Sequence, residues 1–127
     1  LITAIQALLK RAEMNSAFDG LEGGIVVMRE KGHVEQRIGT IVMEGERLVG
    51  GWAKVYRRDR ARVFEVTIPL KVYNTGRSRW AADPAGMIVK CAKAAALREA
   101  FPAQAGSMYL REEMDQIQHL QALPRPP

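Results

Sequence analysis

The sequence has 127 residues, of which 47% are hydrophobic and 26% charged, proportions that are typical of one globular domain. A lone cysteine, Cys91, excludes an intrachain disulfide and fits a reducing cytoplasm. With only two histidines, it also leaves too few ligands for a Cys/His zinc cluster. No stretch contains the roughly 18 successive apolar residues of a membrane span. Because the first residue is Leu1, we expect a piece of a longer chain.

The net charge of +5 is concentrated in the middle of the chain. Residues 54–80 carry 8 basic and 2 acidic side chains, a net of +6, whereas residues 1–53 carry a net of −1 and residues 81–127 a net of 0. Such a concentrated positive field favours a polyanionic partner such as a nucleic acid. A solvated basic hairpin without any such partner would explain the charge equally well.

Hydrophobic periodicity predicts one helix, four antiparallel strands and two further helices, which is an α+β fold in a single domain over residues 1–127. The predicted elements are a helix at 2–14, strands at 25–28, 34–43, 48–58 and 63–73, and helices at 84–100 and 111–122. Asp19-Gly20 and Gly23-Gly24 are expected to break the chain before the first strand. Pro69 cannot donate to a ladder, so the fourth strand is expected at an edge or a bulge.

The third predicted strand places aromatic and basic side chains on one face, namely Trp52, Lys54, Tyr56 and Arg58. Such a face could stack bases and hold phosphates. Alternatively, Trp52 and Tyr56 belong to the core and the cations extend past them into solvent.

Catalytic motifs are absent from the sequence. It contains no phosphate-binding Gly-x4-Gly-Lys-Ser/Thr loop and no Gly-x-Ser-x-Gly elbow. Cys91 lies on the predicted buried stripe of its helix, which favours an inert thiol over a nucleophile. The acids that could serve a metal-dependent nuclease show no recognisable ligand spacing; they are Asp19, Glu22, Asp59, Glu65, Glu112 and Glu113. We therefore predict no catalytic residue, no metal and no cofactor.

Four motifs follow one another from Gly50 onward. They are Gly50-Gly51-Trp52-Ala53-Lys54-Val55-Tyr56-Arg57-Arg58-Asp59-Arg60; Trp80, Pro84, Met87, Ile88 and Lys90; Ala96-Leu97-Arg98-Glu99-Ala100-Phe101-Pro102; and Tyr109 with Glu112-Glu113-Met114. In this order and at these distances they resemble the RecT family of phage single-strand annealing proteins, which includes the Redβ-like recombinases.

The resemblance implies a bacterial or phage-encoded protein that binds single-stranded DNA and anneals complementary strands without ATP in homologous recombination. It also implies a homo-oligomer, either a ring or a helical filament, which we expect to form through the first and last helices. The annealed duplex and a host single-strand binding protein are further expected partners. A non-annealing module for duplex DNA or RNA, and a metal-dependent nuclease, are the alternative functions.

The predicted DNA contacts are basic residues in and after the third strand and along the helix at 84–100. They are Lys54, Arg57, Arg58, Arg60, Arg62, Arg77, Arg79, Lys90, Lys93 and Arg98. By resemblance, Lys90 and Arg98 are the strongest single candidates. Tyr56 and Trp80 are candidates for base stacking, although Trp80, like Trp52, also suits a packing role.

Overall fold

The computed structural model describes residues 3–114 and shows the predicted α+β arrangement, with an N-terminal helix, an antiparallel four-stranded sheet and then helices. The elements are α1 (Ala4–Glu13), β1 (Phe18–Met28), β2 (Val34–Ile38), β3 (Arg47–Arg57), β4 (Phe64–Pro69), α2 (Leu70–Tyr73), α3 (Arg79–Ala82), α4 (Pro84–Ala100) and α5 (Pro102–Ala105), with 3₁₀ turns at Glu30–Gly32 and Arg111–Glu113. Residues 115–122 of the predicted last helix lie outside the described residues.

The sheet has the strand order β2-β1-β3-β4, so β3 is paired on both sides. The register sets Lys54 of β3 between Glu22 of β1 and Glu65 of β4. Pro69 ends the outermost strand β4, which confirms the prediction that this proline lies at an edge.

Helix α4 lies across β3 and forms the centre of the core. The helix spans the predicted residues 84–100; Asp83 caps its N-terminus by accepting a hydrogen bond from the Gly86 amide at 3.0 Å, and Pro84 occupies the first turn. A Cβ built on Gly51 would lie 2.9 Å from the carbonyl oxygen of Ile88, so helix and strand are in backbone contact there. Ten of the seventeen helix residues are buried, which makes α4 a core element rather than a surface helix.

The first strand begins at Phe18, and the prediction that glycines break the chain before residue 25 is wrong. Asp19-Gly20 falls at an irregularity in the register between β1 and β3, and Gly23-Gly24 lies inside the strand. A Cβ on Gly24 would stand 1.8 Å from the carbonyl oxygen of Arg37. Gly24 therefore permits a close crossing of the chain rather than ending the strand.

The second strand ends at Ile38 rather than at residue 43. The loop that follows is held by Glu46, whose carboxylate accepts from the Arg37 guanidinium, from Arg29 Nε at 2.9 Å and from the Met43 amide at 2.9 Å. These bonds replace the ladder that the predicted strand would have formed.

The fourth strand is likewise shorter than predicted, because residues 70–73 form the helical turn α2 instead of continuing to residue 73 as a strand. Pro69 provides no amide hydrogen for further pairing, so the ladder stops there. Alternation of Leu70 and Val72 with polar residues was the reason for the wrong boundary, since one helical turn is too short to show its own period.

Candidate nucleic-acid interface

The sheet face turned away from α4 carries Trp52, Lys54 and Tyr56, and we call it the open face. Trp52 is only 4% exposed, and its Nε1 donates to the carbonyl of Arg37 at 3.1 Å. Lys54 Nζ lies 5.5 Å from the centre of the Trp52 ring. Trp52 is thus a packing residue, in agreement with the structural alternative for this aromatic side chain.

Acidic side chains accompany the aromatic and basic ones on the open face. Tyr56 donates its hydroxyl hydrogen to Glu22, and this bond raises the pKa of Tyr56. Glu65 Oε2 lies 4.0 Å from Lys54 Nζ. Two carboxylates flank one lysine here, so the predicted contacts of Lys54 and Tyr56 with DNA would have to form beside negative charge.

Arg57 points to the opposite side and is bonded within the protein. It forms a two-pronged pair with Asp59, at 2.8 and 2.7 Å, and donates to the carbonyl of Ala100 at 2.5 Å. Its Cζ lies 4.7 Å from the centre of the Phe101 ring. The pair with Asp59 and the bond to Ala100 give Arg57 a structural role at the end of α4.

The remaining basic residues of the hairpin are exposed. Arg58 donates to the carbonyls of Ser16 and Phe18, at 2.9 and 2.6 Å, while 63% of its side chain stays exposed. Arg60 and Arg62 lie in the turn between β3 and β4, and neither forms a salt bridge within residues 3–114. Their contact with DNA stays a prediction; Arg60 is close enough to Asp59 for its charge to help lower the pKa of that carboxyl group.

The predicted residues of α4 differ in their surroundings. Lys90 and Lys93 are half-buried, and the aliphatic chain of Lys93 passes over Gly23 of β1. Arg98 forms two hydrogen bonds with Glu113, and its side chain is only 12% exposed. Lys90 and Arg98, the two strongest candidates by resemblance, therefore differ in how accessible they are to a ligand.

Arg77 and Arg79 line a cleft of about 550 Å³, a size within the range of roughly 300–1,000 Å³ of small-molecule sites. Trp80, Met87 and Met114 form the apolar part of the lining. Trp80 borders the cleft although only 6% of it is exposed.

The two arginines approach the cleft from one short turn. Between them lies Ser78, whose φ of 54° is a strained value for a residue other than glycine.

Arg111 lines the same cleft and was not among the predicted contacts. Arg77, Arg79 and Arg111 are exposed, and within residues 3–114 none of them forms a salt bridge. Glu112 also borders the cleft, so its titratable lining carries three positive charges and one negative. Three guanidinium groups that lack a salt bridge in the described part of the chain, beside apolar side chains, suit a ligand with phosphates and flat rings.

Cys91 is fully buried, and burial raises the pKa of its thiol. The prediction that Cys91 lies on the buried stripe of its helix is confirmed, and its inertness stays a prediction. Among residues 3–114 no cluster of three or more histidine, cysteine or acidic side chains has the arrangement of a metal site. None of the described helices is long and apolar enough to cross a membrane.

A cleft lined by arginines that have no acidic partner among residues 3–114 is a feature typical of nucleic-acid-binding proteins. The family is more specific: a model of the RecT family matches residues 1–122, so the chain belongs to the RecT family. This confirms the resemblance and gives the chain a role in DNA recombination and single-strand annealing, as an annealing protein rather than a classical enzyme. No curated protein and no solved structure matches the chain.

Proposed function

We propose that this protein binds single-stranded DNA along the arginine-lined cleft and anneals complementary strands without ATP. The observation that carries the proposal is the cleft itself, where Arg77, Arg79 and Arg111 stand unpaired within the described residues of a RecT family chain. Guanidinium groups bind phosphate oxygens in pairs of hydrogen bonds, which gives affinity without dependence on base sequence.

Annealing requires that the protein hold the backbone and leave base edges free for a second strand. The arginines can take the phosphates, while exposed Met114, above the buried Trp80 and Met87, offers an apolar surface to sugars or to the flat faces of bases. Correct pairing then contributes stacking free energy of about 1.4 kcal/mol per base-pair step, which needs no nucleotide hydrolysis. Arg60 and Arg62 of the exposed turn supply further positive charge for the annealed duplex.

An array of subunits follows from the size of the domain. One cleft of this volume covers few nucleotides, whereas stable annealing needs many consecutive base pairs. RecT family membership suggests oligomerisation, and we propose a ring or helical filament in which neighbouring basic clefts form one groove. The host single-strand binding protein is a further proposed partner, because it covers the DNA that the oligomer must enter.

The test is the annealing rate of two complementary labelled oligonucleotides at several salt concentrations without ATP. We expect acceleration by the wild-type protein that fades with salt. Arg79→Ala should anneal more slowly, and its log–log salt slope of binding should be smaller by about 0.7, the value for one phosphate on a single strand. Lys31→Ala is the matched control, since Lys31 is exposed in the turn Glu30–Gly32, lies outside α1 and does not line the cleft.

Other results would favour the alternative functions. Salt-sensitive binding without acceleration would indicate a module that coats nucleic acid and does not anneal it. Cleavage of the labelled DNA in magnesium or manganese would indicate a nuclease. Equal rates for Arg79→Ala and Lys31→Ala would place DNA binding away from the cleft.

A further inference from the structure

The closing segment, residues 106–114, is tied to α4 by one buried ion pair. Arg98 Nη1 lies 2.9 Å from Glu113 Oε1, and Arg98 Nη2 lies 2.5 Å from Glu113 Oε2. The two side chains are only 12% and 2% exposed. Both groups also bond to the backbone of the segment, since Arg98 donates to the carbonyl of Met108 and Glu113 accepts from the amide of Leu110.

This ion pair, which we call the latch, holds the segment in place together with the apolar packing of Leu110 and Met108 against the core. Within residues 106–114, only Leu110 and Glu113 are buried. The Arg98 guanidinium also lies 4.3 Å from the centre of the Tyr109 ring, a distance that suits a cation–π contact. Removing one partner would leave the other charge buried without compensation, so the segment would move to expose it.

The held segment supplies one wall of the cleft. Arg111 and Met114 border the cleft, and Glu113 lies between them in the chain. Neither Arg98 nor Glu113 borders the cleft itself. The position of the Arg111 guanidinium therefore depends on a carboxylate two residues away that faces the protein interior.

We propose that Arg98 and Glu113 are positioning residues for DNA binding, and that their latch keeps Arg111 on the wall of the cleft. The proposal rests on the proposed function, because it concerns the same DNA site. It assigns Arg98 an indirect role in place of the direct phosphate contact that the sequence predicts.

Two neighbouring glutamates allow a test in which charge and position predict opposite results. Glu113→Gln and Glu112→Gln each remove one negative charge beside the cleft. If charge alone mattered, both variants would bind an oligothymidylate more tightly. We expect this of Glu112→Gln, whereas Glu113→Gln should bind more weakly because Arg111 leaves its place.

A double-mutant cycle separates positioning from general loss of structure. Glu113→Gln and Arg111→Ala should reduce affinity by similar factors, and the double variant should be no weaker than either, because both remove the same contact. When Glu113→Gln is instead combined with Arg79→Ala, which changes a different part of the cleft lining, the two factors by which affinity falls should multiply. Circular dichroism checks that each variant is folded. Arg98→Lys is a milder second variant, since it keeps the charge and loses the two-pronged geometry.

Tighter or unchanged binding by Glu113→Gln would overturn the proposal. The proposal would also be overturned if the losses of affinity multiplied in the double variant of Glu113→Gln and Arg111→Ala, because the latch would then not act through Arg111. If the wild-type protein failed to bind the oligothymidylate, the proposed function itself would fail, and that result is visible before any variant is compared.

Discussion

The guanidinium of Arg57 stacks on the ring of Phe101, with 4.7 Å between Cζ and the ring centre, and so joins the end of β3 to the residue that follows α4. The same group donates to the carbonyl of Ala100 and holds Asp59. Arg57 therefore stabilises the fold. All three of its guanidinium nitrogens donate within the protein, so few donors remain for a phosphate.

Arg57→Lys keeps the positive charge but loses the planar, two-pronged geometry. We expect a lower free energy of unfolding, because Asp59 and the Ala100 carbonyl lose their partner, and an affinity for single-stranded DNA within about twofold of wild type. Urea denaturation and a DNA titration measure the two effects. Arg60→Lys, in the adjoining turn, should leave stability unchanged. A large loss of affinity at unchanged stability would assign Arg57 to the DNA instead.

Gly51→Val should destabilise the protein by about 1–3 kcal/mol, since overpacking at a tight contact has costs of this order. A side chain there would meet the carbonyl oxygen of Ile88 at 2.9 Å and force α4 away from β3. The free energy of unfolding in urea is the measurement, and Thr67→Val on exposed β4 is the control, expected within about 0.5 kcal/mol of wild type. Equal stability of both variants would contradict the close packing of α4.

The carboxyl group of Glu46 should make stability depend on pH. Its hydrogen bonds with Arg37 lower the pKa of Glu46 from the ordinary 4.5 to about 2. Because the folded form has the lower pKa, the stabilisation is complete above pH 4.5 and is lost as the pH falls towards 2. We expect the difference in unfolding free energy between wild type and Glu46→Gln to shrink over this interval. Exposed Glu44, as Glu44→Gln, should show no such trend.

Cys91 should not react with a thiol reagent in the native protein, because burial keeps it protonated and inaccessible. Ellman's reagent at pH 8 should label one thiol only after urea unfolds the chain. Cys91→Ser provides the blank. Rapid stoichiometric labelling without denaturant would mean that α4 separates from its neighbours far more often than its burial indicates.

The order of the elements followed from local patterns. Alternation in β4 and the Asp83-Pro84 start of α4 are properties of adjacent residues, and the structure confirms both. The start of β1 could not be found in this way. A glycine is needed at position 24 because the backbone of Arg37 and Ile38 passes close to it, and only the folded sheet brings these residues together.

The candidate site was harder to predict for the same reason. Alternation identified the face of β3 with Lys54 and Tyr56, but Glu22 and Glu65 reach it through strand register alone. Arg111 precedes two glutamates, so the net charge of this stretch of sequence is negative and does not indicate a basic site. Its place in the cleft depends on the bond of Glu113 to Arg98, fifteen residues away in sequence.

The two carboxylates beside Lys54 also give the molecule a directional electric field. The open face presents two carboxylates beside one lysine, whereas the cleft presents three exposed arginines and one glutamate. This difference guides an approaching polyanion towards the cleft rather than towards the open face. At 0.1 M salt this guidance extends about 10 Å, so it speeds productive encounters more than it prolongs them.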